Sequence, residues 1–356
     1  MRIALIAPPF IPIPPRKYGG TELFIGHMAE GLDRLGVEVV VYTNGESTVP
    51  VERRWLFEKG KWPLPTDIYS NLHDINHTAW AVADASNTCD IIHLNNAPGL
   101  VHSRFSNLPF VYTLHHPKDA DLTSFYAYHP KVQYVTISEF QRLQEPFKNI
   151  RTIRHGIDVS LYRLTERKQQ YVSFLGRIAP VKGPHLAIAA AKKAGIPLKI
   201  AGEIQPLFQD YWEREVKPHV DGTNVEYVGE ADFATKNELL GNSLAMLFPI
   251  QWDEPFGLVM VEAMACGTPV LALPGGSVPE IVSHGKSGYI CSSAEDIARR
   301  IAQAGQFVPA DVRAYVEKHF SVERMVKEYI ALYSKLLHIP IRQAVEDLDE
   351  EKRAIA

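Results

Sequence analysis

The chain has 356 residues, 46% hydrophobic and 22% charged, an ordinary globular balance, and a length that suits two domains of roughly 150 residues each. Its 37 Lys and Arg stand against 41 Asp and Glu for a formal net charge of -4, which leaves no broad positive field for nucleic acid or an anionic membrane. Three separated cysteines, Cys89, Cys266 and Cys291, give neither a disulfide framework nor zinc spacing and fit a reducing, cytoplasmic setting. The apolar N-terminus MRIALIAPPF is one strand long and closed by prolines, too short for a signal core or a membrane span.

Short runs rich in Val, Ile, Leu and Tyr alternate with longer amphipathic stretches, the pattern of βαβ units around a parallel sheet. Strands are expected near Arg2–Ala7, Val37–Tyr42, Asp90–Leu94, Phe110–Leu114, Val132–Ile137 and Arg151–Arg154, with helices near Thr21–Leu35 and Asp67–Asp84. The charged stretch Leu164–Gln170, with Glu166, Arg167 and Lys168, reads as a solvated junction. The pattern then restarts, with strands near Tyr171–Leu175, Leu198–Ala201, Val225–Val228, Ala245–Phe248, Pro269–Ala272 and Tyr289–Ile290. Helices near Ala294–Ala304, Ala310–Lys318 and Val322–Leu337 follow, and a polar tail, Gln343–Ala356, ends the chain. Reciprocal helix caps are expected at Ser138–Gln141, Thr235–Glu238 and Ser277–Glu280, and a cap residue alone at Ser321. In doubly wound sheets ligands bind beyond the carboxyl ends of strands, so chemistry is sought there, in a cleft that two such sheets would form.

The first strand runs into a proline-rich loop ending Lys17, Tyr18, Gly19, Gly20, before a helix opens at Thr21. Paired glycines there make either a tight turn or, with the helix N-terminus, an anion site. In FLGRIAPVKG, Arg177 and Lys182 stand after the first strand of the second half and before its first helix. A guanidinium fork and an ammonium can neutralise a diphosphate without a metal; the alternative is a solvated turn. The strongest local signal is EPFGLVMVEAMACGTPV, with Glu254 in a loop after a strand, Glu262 in the following helix, and seven residues between them. Pro255 and Gly257 suit the turn and leave the N–H groups of Gly257, Leu258 and Val259 for an anion. Glu262 falls among Val261, Ala263, Met264 and Ala265, where an unpaired carboxylate is costly and ribose hydroxyls would be suitable partners.

These segments, with YGGTE in the first loop, DIIHLNN and TLHHP at strand ends and HGID before the junction, resemble the family 4 retaining glycosyltransferases (glycosyl transferases group 1) over nearly the whole chain. The resemblance implies an α/β GT-B fold, two Rossmann-like domains with parallel sheets facing across a cleft. Residues 1–163 would bind the acceptor, residues 164–325 the nucleotide-sugar, and the helical segment 326–356 would brace the domains or cross back to the first. It further implies that Arg177 and Lys182 hold the diphosphate of the donor. Glu254 would bind hydroxyls of the transferred sugar, helped by N–H groups at Phe256, Gly257, Leu258 and Val259. Glu262 would bind the ribose, backbone near Gly202, Tyr227, Val228 and Gly229 the base, and Gly19 and Gly20 would approach the phosphates. His115, beside His116, aligns with the family histidine that faces the donor sugar, and joins Arg177, Lys182 and Glu254 as the catalytic set. His155 departs from the Asn that family members often carry, so its contact is altered or made through the backbone. By their place at a strand end, His93, Asn95 and Asn96 are candidates for an acceptor or sugar pocket.

The expected function is retaining, metal-independent transfer of a hexose-type sugar from a nucleoside-diphosphate sugar, UDP-linked by family frequency, to a hydroxyl acceptor. No metal or other cofactor is called for, and no DxD stands where the family logic would use one. Competing readings are a sugar phosphorylase or epimerase on the same fold and a non-catalytic sugar-binding protein. A nicotinamide oxidoreductase is disfavoured, since GxGxxG is missing after the first strand. Residues 1–160 hold 15 Lys and Arg against 16 Asp and Glu, so anionic lipid gains no broad attraction. The stretch Arg53, Arg54, Trp55, Phe57, Lys59, Lys61, Trp62 is either a packed loop or a peripheral membrane contact. A soluble or polymer-linked acceptor is expected.

Overall fold

A computed structural model describes residues 1–17, 19–62 and 71–340. The first sheet contains β1 (Arg2–Ile6), β2 (Glu38–Thr43), β3 (Glu52–Trp55), β4 (Ile91–Leu94), β5 (Phe110–Leu114), β6 (Gln133–Thr136) and β7 (Ile150–Thr152), in the order β3-β2-β1-β4-β5-β6-β7. The second contains β8 (Val172–Leu175), β9 (Leu198–Ala201), β10 (Val225–Gly229), β11 (Ala245–Phe248), β12 (Val270–Ala272) and β13 (Gly288–Ile290), in the order β10-β9-β8-β11-β12-β13. All pairings described in both are parallel. Central strands such as Ile91–Leu94 and Ala245–Phe248 are buried along their whole length, as parallel strands covered by helices on both faces require. The strand order reverses beside β1, which pairs with both β2 and β4, and beside β8, which pairs with both β9 and β11. Loops leaving the carboxyl ends of these strands are therefore the natural binding crevices of each sheet.

The chain divides into two compact units. One is Ile157–Ser321 with Arg16 and Lys17; the other holds the remainder of residues 1–156, to which the chain returns at Val322. The sequence placed these points at 163/164 and 325/326. The earlier division has a cause in the connecting segment: Ile157 N donates to Phe320 O (2.9 Å), and Arg313 donates to Val159 O (2.9 Å) and Tyr162 O (2.7 Å). The stretch after it is solvated at Glu166, Arg167, Gln169 and Gln170, as its charge suggested, but Lys168 turns inward. Lys168 is substantially buried and donates to Gly241 O, Cys266 O and Thr268 Oγ1 at 2.8, 3.0 and 2.8 Å, with burial pulling its pKa down to about 8.

The Val322–Leu337 helix packs in the first unit on the Gly20–Arg34 helix, and Phe24, Met28, Val326, Tyr329 and Tyr333 share one core there. A separate core covers the other face of that sheet around Tyr112, Tyr126 and Tyr134. The basic-aromatic stretch is in part an edge strand, β3, whose charged side chains suit an unpaired sheet edge. Arg53 donates to Ser47 O, Arg54 pairs with Asp84, and Glu52 pairs with Arg2. The helix expected from Asp67 is described over Leu72–Thr88; its expected start, Tyr18 and the tail Gln343–Ala356 lie outside the described residues.

Ser138 accepts from Gln141 N (3.2 Å) as expected, and Gln141 Oε1 accepts from Ile137 N (2.9 Å). Two other caps differ. Asp232, not Thr235, caps the Phe233–Asn242 helix, accepting from Thr235 N (2.8 Å): the helix begins two residues before Thr235, whose own amide is one of its orphan donors. Ser277 donates its hydroxyl to Phe256 O (2.8 Å) and leaves its short helix uncapped. Among the described residues no helix is long and apolar enough to cross a membrane.

Candidate functional site

In the second unit, Gly176 and Arg177 leave β8 and Lys182 closes a short turn, Pro180–Lys182. Gly183 follows with φ +73, and a Cβ there would meet Pro249 O at 2.1 Å, so only glycine lets this turn lie against the end of β11. Gln251 reinforces the approach: its N donates to Val181 O and its Nε2 to Pro180 O, both at 2.8 Å. Lys182 is thereby delivered to Glu254, with Nζ 2.5 Å from Oε2. Trp252 Nε1 donates to the same Oε2 (2.8 Å), and the Lys182 ammonium lies over the Trp252 ring, 4.6 Å from its centroid. Burial pulls the Lys182 pKa down, opposed by Glu254 and assisted by the nearby Arg177 charge. Arg177 donates to Gln205 Oε1 at 3.5 Å.

Glu254 is 7% exposed, and its backbone is clamped by Ser277 N, which donates to its carbonyl at 2.9 Å. Gly257 (φ +80) opens the Leu258–Ala265 helix with no side-chain cap, so the first-turn amides at Leu258 and Val259 are available to an anion. One turn further, Glu262 is 2% exposed. The sequence left its carboxylate to ribose hydroxyls, but the protein already supplies two partners. Tyr162 Oη donates to Oε1 at 2.9 Å, and Lys236 from the Phe233–Asn242 helix forms an ion pair with the same oxygen. Among the described residues Oε2 of Glu262 and Oε1 of Glu254 make no hydrogen bond, and both are placed to accept hydroxyls. Gly202, Tyr227 and Gly229 are brought together at the ends of β9 and β10, Tyr227 Oη donating to Gly202 O (2.7 Å) and Gly202 N to Gly229 O (2.9 Å). Val228 belongs to the same strand, and the Tyr227 ring packs 4.6 Å from that of Trp212.

In the first unit, His115 leaves β5 and Asn95 leaves the adjacent β4. His115 Nε2 lies 2.9 Å from Asn95 Oδ1, and its ring packs against Phe24 (5.0 Å) and stacks on His155 (5.5 Å). Burial and the neighbouring histidines push its pKa well below the usual range, so the imidazole is neutral. His155 is 3% exposed, its pKa pulled down to about 3 by burial, and its carbonyl accepts from Arg324 (3.0 Å). His93 is fully buried, with Nδ1 2.7 Å from Tyr333 Oη and Nε2 2.8 Å from Thr113 Oγ1. Both ring nitrogens are thus satisfied internally, and His93 braces the last helix rather than facing a sugar. Asn96 is likewise turned inward, donating to Asp74 Oδ1 and Thr78 Oγ1, both at 2.6 Å. His116 bonds Tyr126 Oη (2.6 Å) and Pro117 O (2.8 Å).

Gly19 caps the Gly20–Arg34 helix at φ +147, and a Cβ there would stand 2.8 Å from Glu22 Oε2. Burial raises the Glu22 pKa to about 7. Of the residues that shape these sites, Trp252, Lys236, Tyr162 and Glu22 escaped the sequence reading. Trp252 lies two positions before Glu254 and Glu22 inside YGGTE, whereas Lys236 and Tyr162 come from separate elements and left no local signal.

The description "Glycosyltransferase Family 4" matches residues 18–161, and "Glycosyl transferases group 1" matches residues 163–306. The chain is 28% identical to N-acetyl-alpha-D-glucosaminyl L-malate synthase of Bacillus anthracis over 58% of its own length and 59% of that protein's. It is 33% identical to glycogen synthase of Mycobacterium tuberculosis over 40% of its length, spanning only 36% of that relative. D-inositol 3-phosphate glycosyltransferase of Mycolicibacterium smegmatis is 27% identical over 90% of this chain and 87% of its own. Among solved structures, Anabaena HepE in complex with UDP and glucose matches with a TM-score of 0.73 at 20% identity, covering 94% of this chain and 100% of that one. Sucrose-phosphate synthase from Thermosynechococcus elongatus matches with a TM-score of 0.79 at 19% identity, covering 95% and 99%. With one family description on each half of the chain, and paired parallel sheets of the matching fold beneath them, the protein belongs to the group 1/family 4 type of GT-B glycosyltransferases.

Proposed function

We propose that the protein transfers a hexose-type sugar from a nucleoside-diphosphate sugar, UDP-linked, to a hydroxyl acceptor, with retention of anomeric configuration and without a metal. The observation that carries the reading is the pair of buried glutamates, each with one oxygen held by the protein and one left to accept, beside Lys182, Arg177 and an uncapped helix N-terminus. Oε1 of Glu254 accepts sugar hydroxyls and Oε2 of Glu262 accepts those of the ribose. An ammonium has three donors, so Lys182 keeps one on Glu254 and offers the others, with Arg177 and the first-turn amides, to the diphosphate. These fixed charges stabilise the negative charge that gathers on the β-phosphate as the bond to the anomeric carbon breaks. The acceptor oxygen forms the new bond on the same face, and its proton passes to a departing β-phosphate oxygen. The complexes of HepE with UDP and with UDP-glucose support the donor class.

Thermal unfolding with UDP, GDP and ADP tests this. UDP at about 100 times its Kd should add about 2.7 kcal/mol of stability, and Glu254→Gln should bind UDP normally while losing turnover of the sugar donor. Stabilisation by GDP or ADP alone would overturn the UDP assignment, near-normal turnover by Glu254→Gln the sugar-binding role, and a trapped covalent glycosyl-enzyme the same-face mechanism.

A further inference from the structure

We propose that Asn95 is a positioning residue that locks His115 as the Nε2–H tautomer, so that Nδ1 is an acceptor reserved for a hydroxyl of the bound substrate. An asparagine amide can lie either way round, and its hydrogen bonds decide which. Asn95 Nδ2 stands 3.2 Å from Ile6 O, a carbonyl that already accepts from Asn95 N at 3.0 Å and can only accept. Turning the amide over would set two acceptor oxygens against each other, so Oδ1 is the atom that faces His115 Nε2 at 2.9 Å. An amide oxygen cannot donate, so Nε2 carries the proton.

In a neutral imidazole the other nitrogen then holds a lone pair. Neutrality follows from the surroundings: Phe24 and His155 cover the ring, and burial with the adjacent His155, His93 and His116 disfavours a second proton. Nδ1 makes no hydrogen bond among the described residues. A lone pair repels phosphate and carboxylate oxygens, which are themselves acceptors, and accepts from O–H. His115 is therefore neither a phosphate ligand nor a resting acid; it selects a neutral hydroxyl. The tautomer lock stands on the first unit alone, while identifying that hydroxyl as one on the donor sugar rests on the proposed function.

The tautomer is read without substrate, by long-range nitrogen–proton correlation spectra of histidine-labelled protein at neutral pH, with His115 assigned from its loss in His115→Gln. The expected spectrum has a protonated Nε2 and a bare Nδ1; a protonated Nδ1 or an imidazolium in the wild type overturns the proposal. Asn95→Asp sets a carboxylate against Nε2 and should yield the doubly protonated ring, and Asn95→Leu should give mixed tautomers. A wild-type spectrum in both variants also overturns it. For the substrate, Asn95→Asp should weaken UDP-glucose about tenfold with UDP affinity unchanged, and equal losses for the two, or none, overturn the hydroxyl assignment. Wild-type protein that binds neither overturns the donor reading and that assignment together, and the spectra still decide the lock.

Discussion

Glu254 and Glu262 solve the same problem in the same way: a carboxylate in a nearly dry place is held by two donors on one oxygen, which leaves the other oxygen fixed in direction. For Glu262 the donors are Lys236 and Tyr162, and for Glu254 they are Lys182 and Trp252. Removing the cation from such a pair leaves a buried charge uncompensated, at a cost of about 3–5 kcal/mol. Lys236→Met should therefore lower stability by that order and weaken UDP about tenfold, since the oxygen proposed to accept the ribose hydroxyls loses its orientation. The double variant Lys236→Met/Glu262→Gln removes the stranded charge. It should recover most of the stability by chemical denaturation but not the affinity by calorimetry, and a double variant with restored UDP affinity would show that Glu262 is only structural. The glutamates were legible in the sequence because they sit after a strand and in an all-apolar helix turn, places where a carboxylate needs a reason. Their partners were not, because Tyr162 lies 100 residues from Glu262 along the chain and Lys236 on a different helix.

At the level of elements, the contact between the Gly20–Arg34 and Val322–Leu337 helices sets how tightly the end of the chain closes on the first sheet. A Cβ at Gly31 would come within 2.5 Å of Val326 Cγ2, and Val326 is β-branched and fully buried, with little freedom to turn away. Gly31→Leu should thus destabilise by about 1–3 kcal/mol through overpacking, seen as a lowered midpoint. Gly31→Leu combined with Val326→Ala should recover part of the loss, and an unshifted midpoint in the single variant would mean the helices separate freely. The buried strands of both sheets were legible because parallel strands covered on both faces read as unbroken apolar runs. β3 was not, since an edge strand carrying Glu52, Arg53 and Arg54 has the composition of a loop. Charge along Glu166–Lys168 marked solvent rightly at Glu166 and Arg167, but it could not show that Lys168 is held inside by three oxygen acceptors or that Arg313 fastens the segment before it, so the compact unit begins earlier, at Ile157.

Across the whole molecule, the buried histidines are unevenly shared between the two units, and this sets how the protein responds to acid. Burial lowers the pKa of His77 to about 4 and those of His93 and His155 to about 3, and drives His115 down as well; all four lie in the first unit. A histidine held neutral in the fold gains its proton on unfolding, so its contribution is present above about pH 6.5 and is lost as pH falls toward the folded value. At about pH 5 that amounts to about 2 kcal/mol each for His77, His93 and His155, and His115 acts in the same sense. Glu22 and Asp74 act in the opposite sense, because burial raises their pKa values to about 7 and about 6 and they become more favourable in the fold as they protonate. Their combined offset at about pH 5 is about 4 kcal/mol, less than the histidines remove. In the second unit His185 is also pulled down but is partly exposed, and Lys168, lowered to about 8, is charged in fold and coil alike at acid pH. Hydrogen exchange followed by mass spectrometry at about pH 5 and about pH 7.5, corrected for the intrinsic rates, should show β1, β4 and β5 losing protection on acidification while β8, β11 and β12 retain theirs. Loss of protection in the second sheet first, or equally in both, would mean that the buried histidines do not control acid stability.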